Sequence, residues 1–253
     1  MDKFVPGKWI SETLRDSMKV PNKKAKMIAH RGLSGLELEN TNAAFVAAGQ
    51  RSFYGIETDT QRTKDGHFIA FHDGELDRMM GVSIKICDIT LEELRKYQMK
   101  DFWEKRKRSD LIVPTLDEYI RICKHYEKVC ILEIKDYFSD KDIEDMLALI
   151  KEEDYLDNVV FISGNWDSLI NLRKQLPDHP AQYICGKVDD ELIEKLVENK
   201  LGIDPYFECL TEELVKKLHD KGIEINCWTV NEVENVALLD KWGVDMITSN
   251  FIE

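Results

Sequence analysis

Residues 28–73 decide the fold. They open on Ile28-Ala29-His30-Arg31-Gly32 and pass through Glu39-Asn40-Thr41 and Gly55-Ile56-Glu57-Thr58-Asp59. They close on Thr63-Lys64-Asp65-Gly66 and Phe71-His72-Asp73. The apolar runs are strand-length, and they stop at histidines, an arginine and acids. A parallel barrel collects its chemistry in this way, at the carboxyl ends of its strands.

Outward from this stretch, a short apolar strand, a turn and an amphipathic helix recur. Strands are expected over 26–30, 54–60, 129–135, 159–163, 181–186, 201–206, 224–229 and 244–248. Helices are expected over 41–51, 90–98 with 115–126, 140–152, 166–176, 189–199, 211–221 and 231–242. Thr90 with Glu93, Thr115 with Glu118 and Asn231 with Glu234 fit the capping box, in which an N-terminal side chain and an acid three residues on bind each other's backbone N–H. Gly202, Gly222 and Gly243 follow helix ends, where a left-handed residue is common. Strands alternating with helices imply parallel strands and right-handed crossovers. Eight such units in about 230 residues match an α/β fold of the (β/α)8 TIM-barrel type. A doubly wound open sheet is the alternative.

No Pro-, Gly- or Ser-rich linker follows residue 25, so residues 26–253 are expected to form one domain. Residues 1–25 stand apart. Ile10, Leu14 and Met18 repeat every four residues beside Trp9, which predicts a short N-terminal helix ended by Pro21. The chain reaches Glu253 just past the eighth strand with no eighth helix, and the N-terminal helix is expected to cover that flank.

Composition excludes several classes. With 43% apolar and 33% charged residues the chain is too apolar for disorder. It carries 48 acidic against 35 basic residues, a net charge of -13 that repels nucleic acid and anionic lipid surfaces. An anionic substrate would therefore need local positive charge at the site. No apolar run approaches the roughly 20 residues that span a bilayer, and residues 1–16 lack a signal-peptide core. Stable membrane association is not expected. The six cysteines form no CxxC pair or metal-ligand spacing, which predicts buried thiols in a reducing cytoplasm.

Between the second and third strands lies an insertion, residues 60–73, with Asp65-Gly66 as a hairpin turn signal. Counted outward from a two-residue turn, Lys64 faces His67 and Asp59 faces His72. The hairpin would then carry His72 back to the barrel mouth beside Asp59.

Glu57 and Asp59 near the end of the second strand share one face, because side chains alternate along a strand. Glu133 and Lys135 repeat that spacing on the third. An isolated strand-end carboxylate is ordinarily solvated or ion-paired. Three converging at one mouth repel one another unless a cation sits among them, and all-oxygen donors suit a hard divalent ion. Arg31 and Lys135 could simply neutralise these acids. Alternatively they hold a phosphate, for which the guanidinium fork of Arg31 is shaped. His67, His125, His179 and His219 fall on the hairpin, helices or loops and are read as structural.

These motifs, taken in order, resemble the glycerophosphodiester phosphodiesterase family, which shares its barrel with phosphatidylinositol-specific phospholipase C. The resemblance rests on His30-Arg31-Gly32, Glu39-Asn40-Thr41, Glu57-Thr58-Asp59, Thr63-Lys64-Asp65-Gly66 and His72-Asp73. It continues through Leu76-Asp77-Arg78, Pro114-Thr115-Leu116, Glu133-Ile134-Lys135 and Trp228-Thr229-Val230-Asn231. It implies metal-dependent hydrolysis of a small glycerophosphodiester to an alcohol and sn-glycerol 3-phosphate. Glu57, Asp59 and Glu133 would ligate one divalent cation, Mg2+ or Ca2+, with Mn2+ also admissible. His30 and His72 would be the acid–base pair, with Arg31 and Lys135 on the phosphate. Trp228 would line the glycerol pocket or pack in the barrel, Asn231 would cap a helix, and Phe138 would touch substrate.

The chain departs from the family pattern at Leu38, where Pro is usual, and at Met79-Met80, where Arg78 is usually followed by two threonines. Both bear on which alcohol is accepted. A lysolipid or inositol-type substrate would need an apolar rim, for which Phe102, Trp103, Tyr137 and Phe138 are the candidates. A barrel that binds a phosphate ester without cleaving it is the remaining alternative.

Overall fold

The computed structural model describes residues 16–100 and 108–253. Its strands are β1 (Lys26–Ala29), β2 (Gly55–Arg62), β3 (Phe68–Ala70), β4 (Val129–Ile134), β5 (Val159–Ser163), β6 (Ala181–Cys185), β7 (Gly202–Pro205) and β8 (Met246–Ser249). The helices are α1 (Asn42–Gly49), α2 (Asp77–Met80), α3 (Leu91–Leu94), α4 (Leu116–His125), α5 (Asp140–Glu152), α6 (Trp166–Gln175), α7 (Asp190–Glu198), α8 (Glu212–Asp220) and α9 (Val233–Trp242).

The sheet runs β7-β6-β5-β4-β2-β1-β8, and every pair along that path is parallel. The remaining stave, residues 224–230, closes the barrel. It makes single bridges to β7 at Ile203–Ile225 and Tyr206–Trp228. On its other side the Cys227 N–H donates to Met246 O at 3.1 Å and the Val230 N–H to Thr248 O at 2.9 Å. The expected strand at 224–229 is therefore a stave without a continuous ladder. Eight parallel staves wrapped by helices make the fold a TIM barrel.

Alternation sets the layers. Gly55, Glu57 and Asp59 on β2 take the inward face, as do Ile131 and Glu133 on β4 and Lys135 just past it. Ile56, Cys130, Leu132 and Ile134 face the helices, where they meet Phe45, Ala48, Leu116, Tyr119 and Ile120. The barrel floor is filled by Ile28, Ile131, Val160, Ile162 and Met246. Gly55 leaves room for that floor, since a Cβ there would lie 3.1 Å from Ile28 Cδ1 and 2.9 Å from Val129 O. Burying each such aliphatic side chain contributes about 1.5–3 kcal/mol, so a one-residue slip of β2 or β4 would be prohibitive.

Local signals govern the helix starts with one exception. Thr90 and Glu93 form the expected box, and Glu118 accepts from the Thr115 N–H at 3.1 Å. Asn231 does not cap α9, which starts after Glu232 without a side-chain cap. Instead Asn231 Oδ1 accepts from Ser249 Oγ and the Asn250 N–H, tying this loop to the end of β8. Gly222 and Gly243 are left-handed, at φ 75° and 92°. After α7 it is Lys200, at φ 52°, that takes this conformation, and Gly202 already belongs to β7. The helix expected over 90–98 shrinks to four residues.

The insertion is a hairpin with a different register from the one expected. The turn has three residues, not two. The Gly66 N–H donates to Thr63 O and the Thr63 N–H to His67 O, each at 2.9 Å, with Gly66 left-handed at φ 88°. Thr60 therefore pairs with Ala70, and Asp59 lies opposite Phe71, one residue short of His72. Residues 74–100 and 108–113 then fold over the hairpin around Leu38, Ile69, Phe71, Leu76, Ile86 and Leu111.

Trp9, Ile10 and Leu14, on which the expected N-terminal helix rests, lie outside the described residues. At Met18 the chain is extended and pairs in parallel with Ile252. All six cysteines are free thiols, and among the described residues no helix is long and apolar enough to cross a membrane.

Glu253 fastens the segment around Met18 to the barrel. Its buried carboxylate accepts from Ser17 Oγ at 2.6 Å, the Ser52 N–H at 2.5 Å and Ser52 Oγ at 2.7 Å. Burial would raise its pKa, but these donors hold it below its usual 4.5. A depressed carboxyl stabilises the fold above the unfolded value and loses that contribution as pH falls through the folded value. Glu253→Gln is expected to cost about 1–3 kcal/mol at pH 7. In melting experiments, its deficit relative to the parent chain should shrink once the pH drops below about 4.

Candidate active site

One cavity at the carboxyl end of the barrel is lined by His30, Arg31, Glu57, His72, Glu133, Lys135, Ile162, Ile184, Asp204, Trp228 and Thr248. It contains every residue expected to be catalytic, phosphate-binding or metal-ligating except Asp59, which is buried.

The β1 end sets the first group. Arg31 and Gly32 are both left-handed, at φ 53° and 76°. Gly32 is required there, because a Cβ would come within 2.7 Å of Ala44. The bend turns the Arg31 N–H onto Glu57 Oε2 at 2.6 Å. It also buries the guanidinium, with Nη1 2.8 Å from Glu39 and Nε 3.3 Å from Asp59. Asn40 donates from Nδ2 to Asp59 Oδ2 at 2.7 Å and accepts from Thr58 Oγ1 at 2.8 Å.

Glu57, Asp59 and Glu133 each offer an oxygen within 4.8 Å of the others. Asp59 and Glu133 are register partners on β2 and β4. Lys135 Nζ lies 2.8 Å from Glu133 and 3.3 Å from Asp59. Crowding drives these acids apart in proton affinity. Burial, then the charges of Asp59 and Glu133, pushes Glu57 well above its usual value. Burial also lifts Glu133 to about 7, against the pull of Lys135. Burial would raise Asp59 too, but Lys135, Arg31 and His72 draw it well below. Oxygen-only donors with excess negative charge fit a hard divalent cation.

The histidines come from different elements, His30 from the end of β1 and His72 from just past β3. His30 Nδ1 lies 2.7 Å from Asn250 Oδ1 and His72 Nδ1 2.7 Å from Asp73 Oδ1. Both partners accept, which assigns the proton on each Nδ1. His30 is edge-exposed to the cavity but walled in by protein. That burial, with the Arg31 charge, lowers its pKa to about 3. Asp73 is held in turn by Arg78, whose Nη atoms reach Glu39 at 2.7 and 2.9 Å. Gln61 Nε2 pins the backbone around His72, reaching the carbonyls of Phe71, His72 and Asp73 at 3.2, 3.0 and 2.5 Å. This clamp brings His72 to the mouth despite the shifted hairpin register.

Trp228 lines the cavity, and its Nε1 donates to Asp204 O at 3.0 Å. Phe138 does not reach it; the ring is buried against Phe68, with centroids 5.7 Å apart. His67, His125, His179 and His219 all lie away from the cavity. Asn250, Gln61 and Asp204 were not singled out in the sequence. Asn250 and Asp204 had a usable signal, a polar residue at the end of a barrel strand. Gln61 had none, because its contacts depend on the hairpin register.

The model of the glycerophosphoryl diester phosphodiesterase family matches residues 30–253. A glycerophosphodiester phosphodiesterase of Caldanaerobacter subterraneus is 31% identical over 231 residues, covering 90% of this chain and 94% of that protein. Human glycerophosphodiester phosphodiesterase 1 is 32% identical, covering 92% of this chain and 80% of its own length. Among solved structures, an Oleispira antarctica phosphodiesterase in complex with sn-glycerol-3-phosphate superposes with a TM-score of 0.82 at 23% identity, covering 89% of this chain and 93% of that one. With this match spanning the barrel and every motif at its mouth, the chain belongs to the glycerophosphoryl diester phosphodiesterase family.

Proposed function

We propose that the protein hydrolyses small glycerophosphodiesters to an alcohol and sn-glycerol 3-phosphate, with one divalent cation held by Glu57, Asp59 and Glu133. The observation that carries this reading is the shared cavity, where Glu57 and Glu133 of the carboxylate trio, two cationic side chains and two imidazoles face one small volume. The substrate class follows the relatives named as glycerophosphodiester phosphodiesterases at 31% and 32% identity.

When bound, a hard divalent cation such as Mg2+, Ca2+ or Mn2+ would neutralise phosphoryl charge and acidify an attacking hydroxyl. Arg31 and Lys135 bind the phosphate and stabilise charge that grows in the transition state. Both remain protonated, because the surrounding acids outweigh the effect of burial. His30, neutral and fixed by Asn250, accepts the proton of the nucleophile at Nε2. That nucleophile is water or the neighbouring glycerol hydroxyl. His72, held through Nδ1 by the Asp73 carboxylate, gives a proton to the leaving alkoxide. Of the aromatic rim expected for a lysolipid substrate, among the described residues Tyr137 is exposed and Phe138 is buried.

Chelation with EDTA is expected to abolish turnover and added Mg2+, Mn2+ or Ca2+ to restore it. Calorimetric titration of Glu57→Gln or Glu133→Gln with these ions should show at least tenfold weaker binding than the parent chain. Unaltered binding in both variants would remove the carboxylate trio from the account.

The histidine roles separate by leaving group. His30→Ala is expected to lower turnover about 10²-fold or more on both glycerophosphocholine and a 4-nitrophenyl phosphodiester. His72→Ala should lose as much on glycerophosphocholine but far less on the nitrophenyl ester, whose leaving group needs no proton. The reverse pattern would exchange the two roles.

A further inference from the structure

The cavity has two unlike walls. Staves β1, β2 and β4 with the hairpin supply its cationic side chains, its histidines and the carboxylates Glu57 and Glu133. Staves β5 to β8 supply Ile162, Ile184 and Trp228, with Asp204 and Thr248 as the only other polar side chains. Thr248 is engaged, since its Oγ1 donates to Asn226 Oδ1 at 3.2 Å.

Asp204 is different. It is 2% exposed, yet its Oδ1 has no hydrogen-bond partner among the described residues. No arginine or lysine pairs with it among them, and it stands outside the carboxylate group that could share a metal ion. The inward residue beside it in register on β6 is Ile184, which shows what an apolar solution at this height looks like. On the neighbouring stave the buried Asn226 also keeps an unpartnered Nδ2. A buried acceptor left without a partner costs about 1–3 kcal/mol. Its occurrence in a cavity wall points to a partner that arrives with the ligand. A hydroxyl fits, because it donates to a carboxyl oxygen while its carbon chain lies on Ile162, Ile184 and Trp228.

We propose that Asp204 is a specificity-determining residue that binds a hydroxyl of the glycerol moiety, so that the β5–β8 wall recognises the polyol while the opposite wall holds the phosphate. This rests on the substrate class assigned above. Asp204 is not a catalytic residue in this account.

The test compares binding of sn-glycerol 3-phosphate and n-propyl phosphate, which differ only in the hydroxyls, to the metal-loaded protein by calorimetry. The parent chain should prefer sn-glycerol 3-phosphate by at least tenfold. Asp204→Leu should bring the two ligands within about threefold of each other, mainly through weaker binding of sn-glycerol 3-phosphate. Asp204→Asn, which keeps the volume and a polar group, should retain part of the preference and guards against a folding defect in the leucine variant. The assignment is overturned if the parent chain shows no preference, if both variants keep the full preference, or if both ligands weaken equally. Hydrolysis of glycerophosphocholine by the parent chain is measured separately. If it is absent while the Asp204-dependent preference holds, the reaction assigned above fails and the polyol site stands. If hydrolysis is present and the preference ignores Asp204, only the polyol site fails.

Discussion

Three carboxylates held within 4.8 Å of one another at the end of a narrow barrel are the constraint to which the rest of the mouth answers. Their repulsion is strong because protein, not water, surrounds them. The fold meets it with a positive frame supplied from several staves. Arg31 comes from the β1 bend, Lys135 from just past β4, and the backbone N–H of Arg31 donates directly to Glu57. Arg78 extends the frame outward through Glu39 and Asp73. The left-handed Arg31-Gly32 bend is thus an electrostatic requirement as much as a turn, since only that geometry aims both the amide and the guanidinium at the acids.

Much of this was legible from spacing. A period of two on a strand is enough to put Glu57 with Asp59 and Glu133 with Lys135, and the strand-end rule places them at one mouth without knowing the fold in detail. The failures share a different cause. Whether Asp65-Gly66 closes a two- or three-residue turn depends on Thr63 bonding across to His67, a difference of one hydrogen bond that shifts every later pair. Asn231 looked like a cap because Glu234 follows three residues on, but its amide is claimed by Ser249 and Asn250, which are remote in sequence. Phe138 follows a site strand closely, yet the chain turns it toward Phe68 and the helix layer. In each case a long-range partner outbid a local signal that was chemically sound.

The support around the histidines shows the same division. His30 and His72 are recognisable by their motifs, but what orients them is not contiguous with either. Asn250 arrives from the far end of β8 and fixes the His30 ring. Gln61 sits on β2 and clamps the three carbonyls that follow β3. The two rings consequently receive different partners, an amide oxygen for His30 and a carboxylate for His72. Identical side chains in one cavity are given unlike surroundings by what stands behind them.

Asymmetry across the barrel completes the argument. Phosphodiesters share a charged centre and differ in their arms, and a cavity that grips only the shared centre cannot tell one ester from another. The charged wall of β1, β2 and β4 is suited to the first task and poor at the second, since ionic contacts with phosphate are common to every diester. Discrimination must come from the other wall, where polar groups are scarce and each one therefore counts. Against Ile162, Ile184 and the Trp228 ring, a lone carboxyl without a partner rejects a ligand that offers it none, because such a ligand leaves the carboxyl both desolvated and unsatisfied. The sparseness of that wall, rather than the density of the opposite one, is what allows a general phosphodiester site to become a selective one.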